Sequence, residues 1–153
     1  DNGYWPGEDS KLLDKFNHED RGYVYYHPSV SVYHHRRDAL LGHLEQHKNY
    51  GKTRGLFAAQ GDENSKHFMY VIPTLFTLYV ILLMMSVLIL PHLTRMLLIP
   101  MWMYIVMMIY VFISTHMRTY SLFIALGTVL VIPATHITYG MWYLIGYARE
   151  KLT

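Results

Sequence analysis

Between His67 and Ala148 the chain carries only two formally charged residues, Arg95 and Arg118. A run of that length without a single carboxylate is covered by lipid rather than water. Nearly every other charge lies before residue 67. The overall composition, 52% hydrophobic over 153 residues with ten Met and fourteen Tyr, therefore averages two unlike parts. Residues 1–66 form a polar head, and residues 67–153 form a transmembrane region.

Three apolar segments divide that region. Residues 68–90 are uncharged and long enough to cross a bilayer core of about 30 Å, with Pro73 near the start where proline is tolerated. Residues 91–95 read as a tight turn, residues 96–113 as a second span, and residues 114–119 as the next turn. The third span starts at Tyr120 and ends near His136 or runs on toward Tyr147. Short turns make these helices antiparallel neighbours. Arg36, Arg37, Lys48, Lys52, Arg54 and Lys66 precede the first span, which puts the head in the cytoplasm of a multi-pass inner or plasma membrane protein. Three spans then put the carboxyl terminus outside, a position that Arg149 and Lys151 argue against.

Within the head, Asn2-Gly3 and Pro6-Gly7 are turn dipeptides, and Tyr4 and Trp5 between them either line a pocket or pack on a neighbour. Residues 8–20 read as a helix, with Leu12, Leu13 and Phe16 as its apolar stripe. Glu8 and Asp9 sit in its first turn, where the helix dipole keeps carboxylates charged. A bare pair there reads first as helix capping, and also suits a general base. Residues 23–27 and 30–34 are aromatic and β-branched and are split by Pro28; they read as two strands. Arg36 and Arg37 suit phosphate oxygens or a headgroup surface, whereas adjacent His34 and His35 make a poor metal site. Residues 38–60 read as a basic amphipathic helix with Asp38 as its cap, lying at the membrane interface. Gly51 and Gly55 within it permit close backbone approach, and residues 61–66 form a polar hinge. Domains are thus expected at 1–37, 38–66 and 67–153.

Some classes drop out. No Lys/Arg run with interleaved aromatics marks a nucleic-acid partner, and the net charge of +2 does not suggest one. The absence of Cys means that no disulfide is needed. Helices without acids make ion-coupled transport a weak reading.

Taken in order, several of these stretches resemble glycosyltransferase family 2, and more narrowly its membrane-anchored exopolysaccharide enzymes of the succinoglycan-synthesis type. The matching stretches are Gly7-Glu8-Asp9 with the helix after it, Gly22-Tyr23-Val24-Tyr25-Tyr26-His27-Pro28, the run Val30 to His34, and Arg36-Arg37. Gln46-His47-Lys48-Asn49-Tyr50-Gly51-Lys52-Thr53-Arg54-Gly55 and the late His136-Ile137-Thr138-Tyr139-Gly140 complete the set. The resemblance covers the head and the end of the chain; the middle helices match only in being apolar.

The resemblance implies an α/β head, the carboxyl-terminal piece of a GT-A domain, followed by an all-α membrane part with three helices. It implies an inverting transfer of a sugar from a nucleotide-sugar donor to a lipid-linked or polysaccharide acceptor. Asp9 is then the general base and Glu8 its neighbour, with Trp5, Arg36, Arg37, Gln46 and Arg54 as substrate-binding candidates. Related processive synthases carry Gln-x-x-Arg-Trp; here Gln46 is followed by Tyr50-Gly51 and Arg54, which favours single-sugar transfer. The family uses a divalent cation, Mg or Mn, held by an Asp-x-Asp motif that does not occur in these 153 residues. The chain is accordingly expected to be a carboxyl-terminal piece, inactive alone, with no metal ligands of its own. The competing reading is a non-enzymatic membrane anchor or assembly subunit.

Overall fold

The computed structural model describes Leu12, Leu13, Lys15, Phe16, Tyr25, residues 27–33 and residues 40–152. Four α-helices make up most of it: α1 (Leu41–Ala59), α2 (Phe68–Ile89), α3 (Pro91–Thr119) and α4 (Leu122–Leu152). A short 3₁₀ turn, Asn64–Lys66, joins α1 to α2.

The expected α/β head is corrected. Among the described residues there is no strand. Pro28 and Ser29 form a turn closed by Val30 N–H donating to His27 O at 3.1 Å, and residues 30–33 leave it with exposed side chains. Val30 and Val32 alternate as a strand would, but β-propensity expresses packing against a neighbouring strand, and none lies beside them among the described residues. Leu12, Leu13, Lys15 and Phe16 are helical, as the expected helix over 8–20 requires.

The three long helices are each apolar and long enough to cross a membrane. Their boundaries differ from the sequence reading at both turns. The first turn shrinks to Leu90, because Pro91 starts α3 at a position where a missing N–H costs nothing. The second turn moves past Thr119, where Tyr120 takes a left-handed conformation (φ 53°) that stops the helix. His67 caps α2, its Nδ1 accepting from Met69 N–H at 3.4 Å. α4 runs unbroken through His136 to Leu152 with Pro133 inside it. Its 31 residues extend about 46 Å, well beyond a core of about 30 Å.

α2 and α3 form a helical hairpin. Ser86 and Thr94 hydroxyls meet at 3.0 Å near its tip, and the Phe76 and Tyr104 rings lie 4.8 Å apart lower down. The Tyr79 hydroxyl donates to the Leu97 carbonyl between them. The largest helix contact in the molecule is instead α1 on α4. Its contacts His43–Thr135, Gly51–Tyr139, Gly55–Tyr143 and Gln60–Glu150 ascend together, so the two helices run in the same direction.

Candidate functional site

The α1–α4 contact is made by backbone. A Cβ on Gly55 would stand 2.8 Å from the Tyr143 carbonyl carbon and 2.9 Å from Tyr147 N. One on Gly51 would stand 3.1 Å from the Tyr139 carbonyl carbon, and from the other side one on Gly146 would stand 2.9 Å from the Lys52 carbonyl carbon. Real Cβ atoms do not fit there, so the spacing Gly51-x-x-x-Gly55 sets how closely α1 approaches. Gly140 gives α2 the same access: a Cβ there would meet Thr77 Cβ at 2.9 Å. The buried surface of α1 is Gly51, Gly55 and Phe57 to Ala59, whereas Leu40 and Leu41 at its amino-terminal end are exposed.

Close approach brings polar side chains together along one seam. At its amino-terminal end, His43 Nε2 and Thr135 Oγ1 are 3.0 Å apart, and the His43 and His47 rings lie 4.1 Å apart. Burial, and then the nearby His47, lower the pKa of His43. In the middle, Lys48 Nζ stands 4.7 Å over the Trp142 ring. Farther on, the Arg54 guanidinium stacks 4.3 Å over Tyr70 and donates to Ser65 Oγ at 3.3 Å. The Ser65 backbone is held in turn: its N–H donates to Asp62 Oδ2 at 2.8 Å, and its carbonyl accepts from Tyr143 Oη at 3.2 Å. Where α2 crosses α4, the Thr77 hydroxyl lies 2.9 Å from Pro73 O and 3.2 Å from His136 O. The His136 ring packs edge-on to Phe76 at 5.5 Å. The Thr74, Tyr104 and Tyr139 hydroxyls are buried here without a hydrogen-bond partner among the described residues.

The two late stretches that resemble family 2 enzymes, Gln46 to Gly55 and His136 to Gly140, are thus in contact, although 80 residues of chain lie between them. Comparison with protein families, curated proteins and solved structures finds no match.

Of the candidate site residues, Trp5, Glu8, Asp9, Arg36 and Arg37 lie outside the described residues, as does the expected cap Asp38. Gln46 and Arg54 are both on α1 but do different things. Gln46 Nε2 donates to Tyr50 Oη one turn on, at 3.3 Å, and stays half-exposed. Arg54 ties α1 to the hinge and to the start of α2. Among the described residues no group of three His, Cys, Asp or Glu side chains is placed to hold a metal ion. Sequence reasoning missed His43, Ser65, Tyr70, Thr135 and Trp142. The hinge composition hid Ser65, and the others have their partners on another helix, which the sequence does not show. Gly51, Gly55 and the His136–Gly140 stretch were the parts of the seam that the sequence marked.

Proposed function

We propose that this chain works in an inverting, membrane-bound glycosyltransferase of family 2, moving a sugar from a nucleotide-sugar donor to a lipid-linked or polysaccharide acceptor. One observation supports this reading above the rest: the Gln46–Gly55 and His136–Gly140 stretches, which resemble the family separately, touch through Gly51 and Tyr139. The contact of two matching stretches is more specific than either motif alone.

In this reading Asp9 takes the acceptor hydroxyl proton as the acceptor oxygen attacks the anomeric carbon. The bond from that carbon to the diphosphate oxygen breaks on the opposite face, and the nucleoside diphosphate leaves with the electron pair. Glu8 keeps the site acidic, Trp5 faces the sugar, and Arg36 and Arg37 meet phosphate oxygens. Gln46 contacts substrate from α1, and Arg54, like Arg36, stands near the diphosphate. The residues described do not fit a divalent cation, so none of these steps is routed through one. The basic residues before α2 favour a cytoplasmic head at an inner or plasma membrane.

The test is sugar transfer in native membranes by the full-length enzyme that this reading requires, with its donor-binding part, comparing wild type with Asp9→Asn. The expected result is a fall in rate of about 10² to 10⁴-fold with the protein still inserted. Transfer at a near-normal rate removes Asp9 as the base. No transfer by either protein, in any donor background, leaves the anchor or assembly role.

A further inference from the structure

We propose that the end of α3 seats one anionic phospholipid, its phosphate on Arg118 and an acyl chain in the groove that runs from there to Tyr110. The site lies apart from the α1–α4 seam, and the proposal stands independently of the glycosyltransferase reading.

The first support is a charge without a partner in its own chain. No carboxylate occurs between Glu63 and Glu150, so α2 and α3 carry none. Arg118 is exposed on α3, and among the described residues it makes neither an ion pair nor a hydrogen bond. Arg95, the other cation of the apolar stretch, differs: its guanidinium donates to His92 Nδ1 at 3.2 Å. A guanidinium on a helix that crosses a membrane takes its counter-charge from the protein or from the lipid. Here the lipid is left, and the planar fork of Arg118 matches the oxygens of a phosphate.

The second support is the groove itself. Tyr110, Ile113, Ser114, Met117 and Arg118 line a cavity of about 350 Å³. Tyr110, Ser114 and Arg118 follow one another at i, i+4 and i+8, with Ile113 and Met117 beside them, so all five share one face of α3. Along that face Arg118 stands about 12 Å from Tyr110, close to the half-thickness of about 15 Å of a hydrocarbon core. A phosphate held at Arg118 therefore sends its acyl chain along Met117 and Ile113, which are exposed and apolar.

The third support is depth. α2 and α3 form a hairpin and each is long enough to cross the membrane, so the end of α3 returns to the face from which α2 starts. Tyr120, which ends α3, is exposed, as an aromatic at the headgroup level would be. With the head in the cytoplasm this is the cytoplasmic leaflet, the one rich in anionic lipid.

The test is native mass spectrometry of the full-length protein released from nanodiscs of equal parts phosphatidylglycerol and phosphatidylcholine. The expected result is one phosphatidylglycerol retained per chain. Arg118→Gln should lower that retention about fivefold, and Arg95→Gln should leave it unchanged. Ser114→Trp fills the groove, keeps the charge and should lower retention as well. Equal retention of the two lipids by the wild type would overturn the proposal, because the surface would then meet lipid without selecting it. Equal losses in Arg118→Gln and Arg95→Gln, or full retention in Ser114→Trp, would overturn it too. Should Ser114→Trp not fold, Ser114→Leu occupies less of the groove and should give a smaller loss; no loss would count equally against the site.

Discussion

The α1–α4 seam and the outer face of α3 hold opposite lessons about this molecule. The seam is polar in sequence and is a close contact of glycine against backbone. The outer face of α3 is apolar in sequence and touches almost nothing: Trp102, Met103, Val106 and Tyr110 are each more than 60% exposed. In a bilayer this inversion is expected. Lipid tails are as apolar as a leucine, so apolar side chains gain little by leaving lipid for another helix, and association falls to close packing and polar contacts. Apolar character thus marks where the membrane is, and small residues mark where the protein is assembled.

Substitutions can sharpen or break that contrast. Gly55→Leu should have the largest effect, because its first carbon already overlaps the Tyr143 and Tyr147 backbones, which cannot step aside. A loss of more than about 3 kcal/mol is expected in detergent unfolding, with amide protection lost along α1. Gly146→Leu should do the same from the α4 side. Arg54→Ala removes the stacking on Tyr70 and the hydrogen bond to Ser65, and should cost about 1–2 kcal/mol by the same assay. Gly127→Ala meets nothing within 4 Å and should stabilise α4 by up to about 1 kcal/mol. Met103→Leu on the outer face of α3 should change stability by less than about 0.5 kcal/mol. A large loss at Met103 with tolerance at Gly55 would reverse the contrast.

How far the sequence could be read tracks the same division. The three spans were legible because lipid contact leaves a long, one-sided chemical signature. Their turns were misplaced by a few residues because Pro91 and Tyr120 act through backbone geometry that the hydropathy pattern does not carry. Gly51 and Gly55 announced a close approach, but the partner was not legible: Tyr139 and Tyr143 offer backbone atoms, which are alike at every position. The expected strand over 23–27 lies mostly outside the described residues, and the one over 30–34 rested on propensity, which needs a neighbouring strand to become structure. Of the candidate site, Gln46 and Arg54 were named from the sequence, and their assignment to substrate took no account of Tyr50, Ser65 and Tyr70, which engage them in the folded chain.

The seating of α1 along α4 carries the whole account, and one cross-linking measurement tests it most directly. Gln60 and Glu150, at matching ends of the two helices, are joined by a 3.0 Å hydrogen bond and both are accessible in this cysteine-free chain. With Gln60→Cys and Glu150→Cys, a short bis-maleimide reagent in native membranes should link the pair within one chain, so that cleavage in the α1–α2 hinge leaves a single band. The pair Gln60→Cys and Met103→Cys should not link. Failure of the first pair, or equal linking by both, would contradict the parallel docking of α1 on α4.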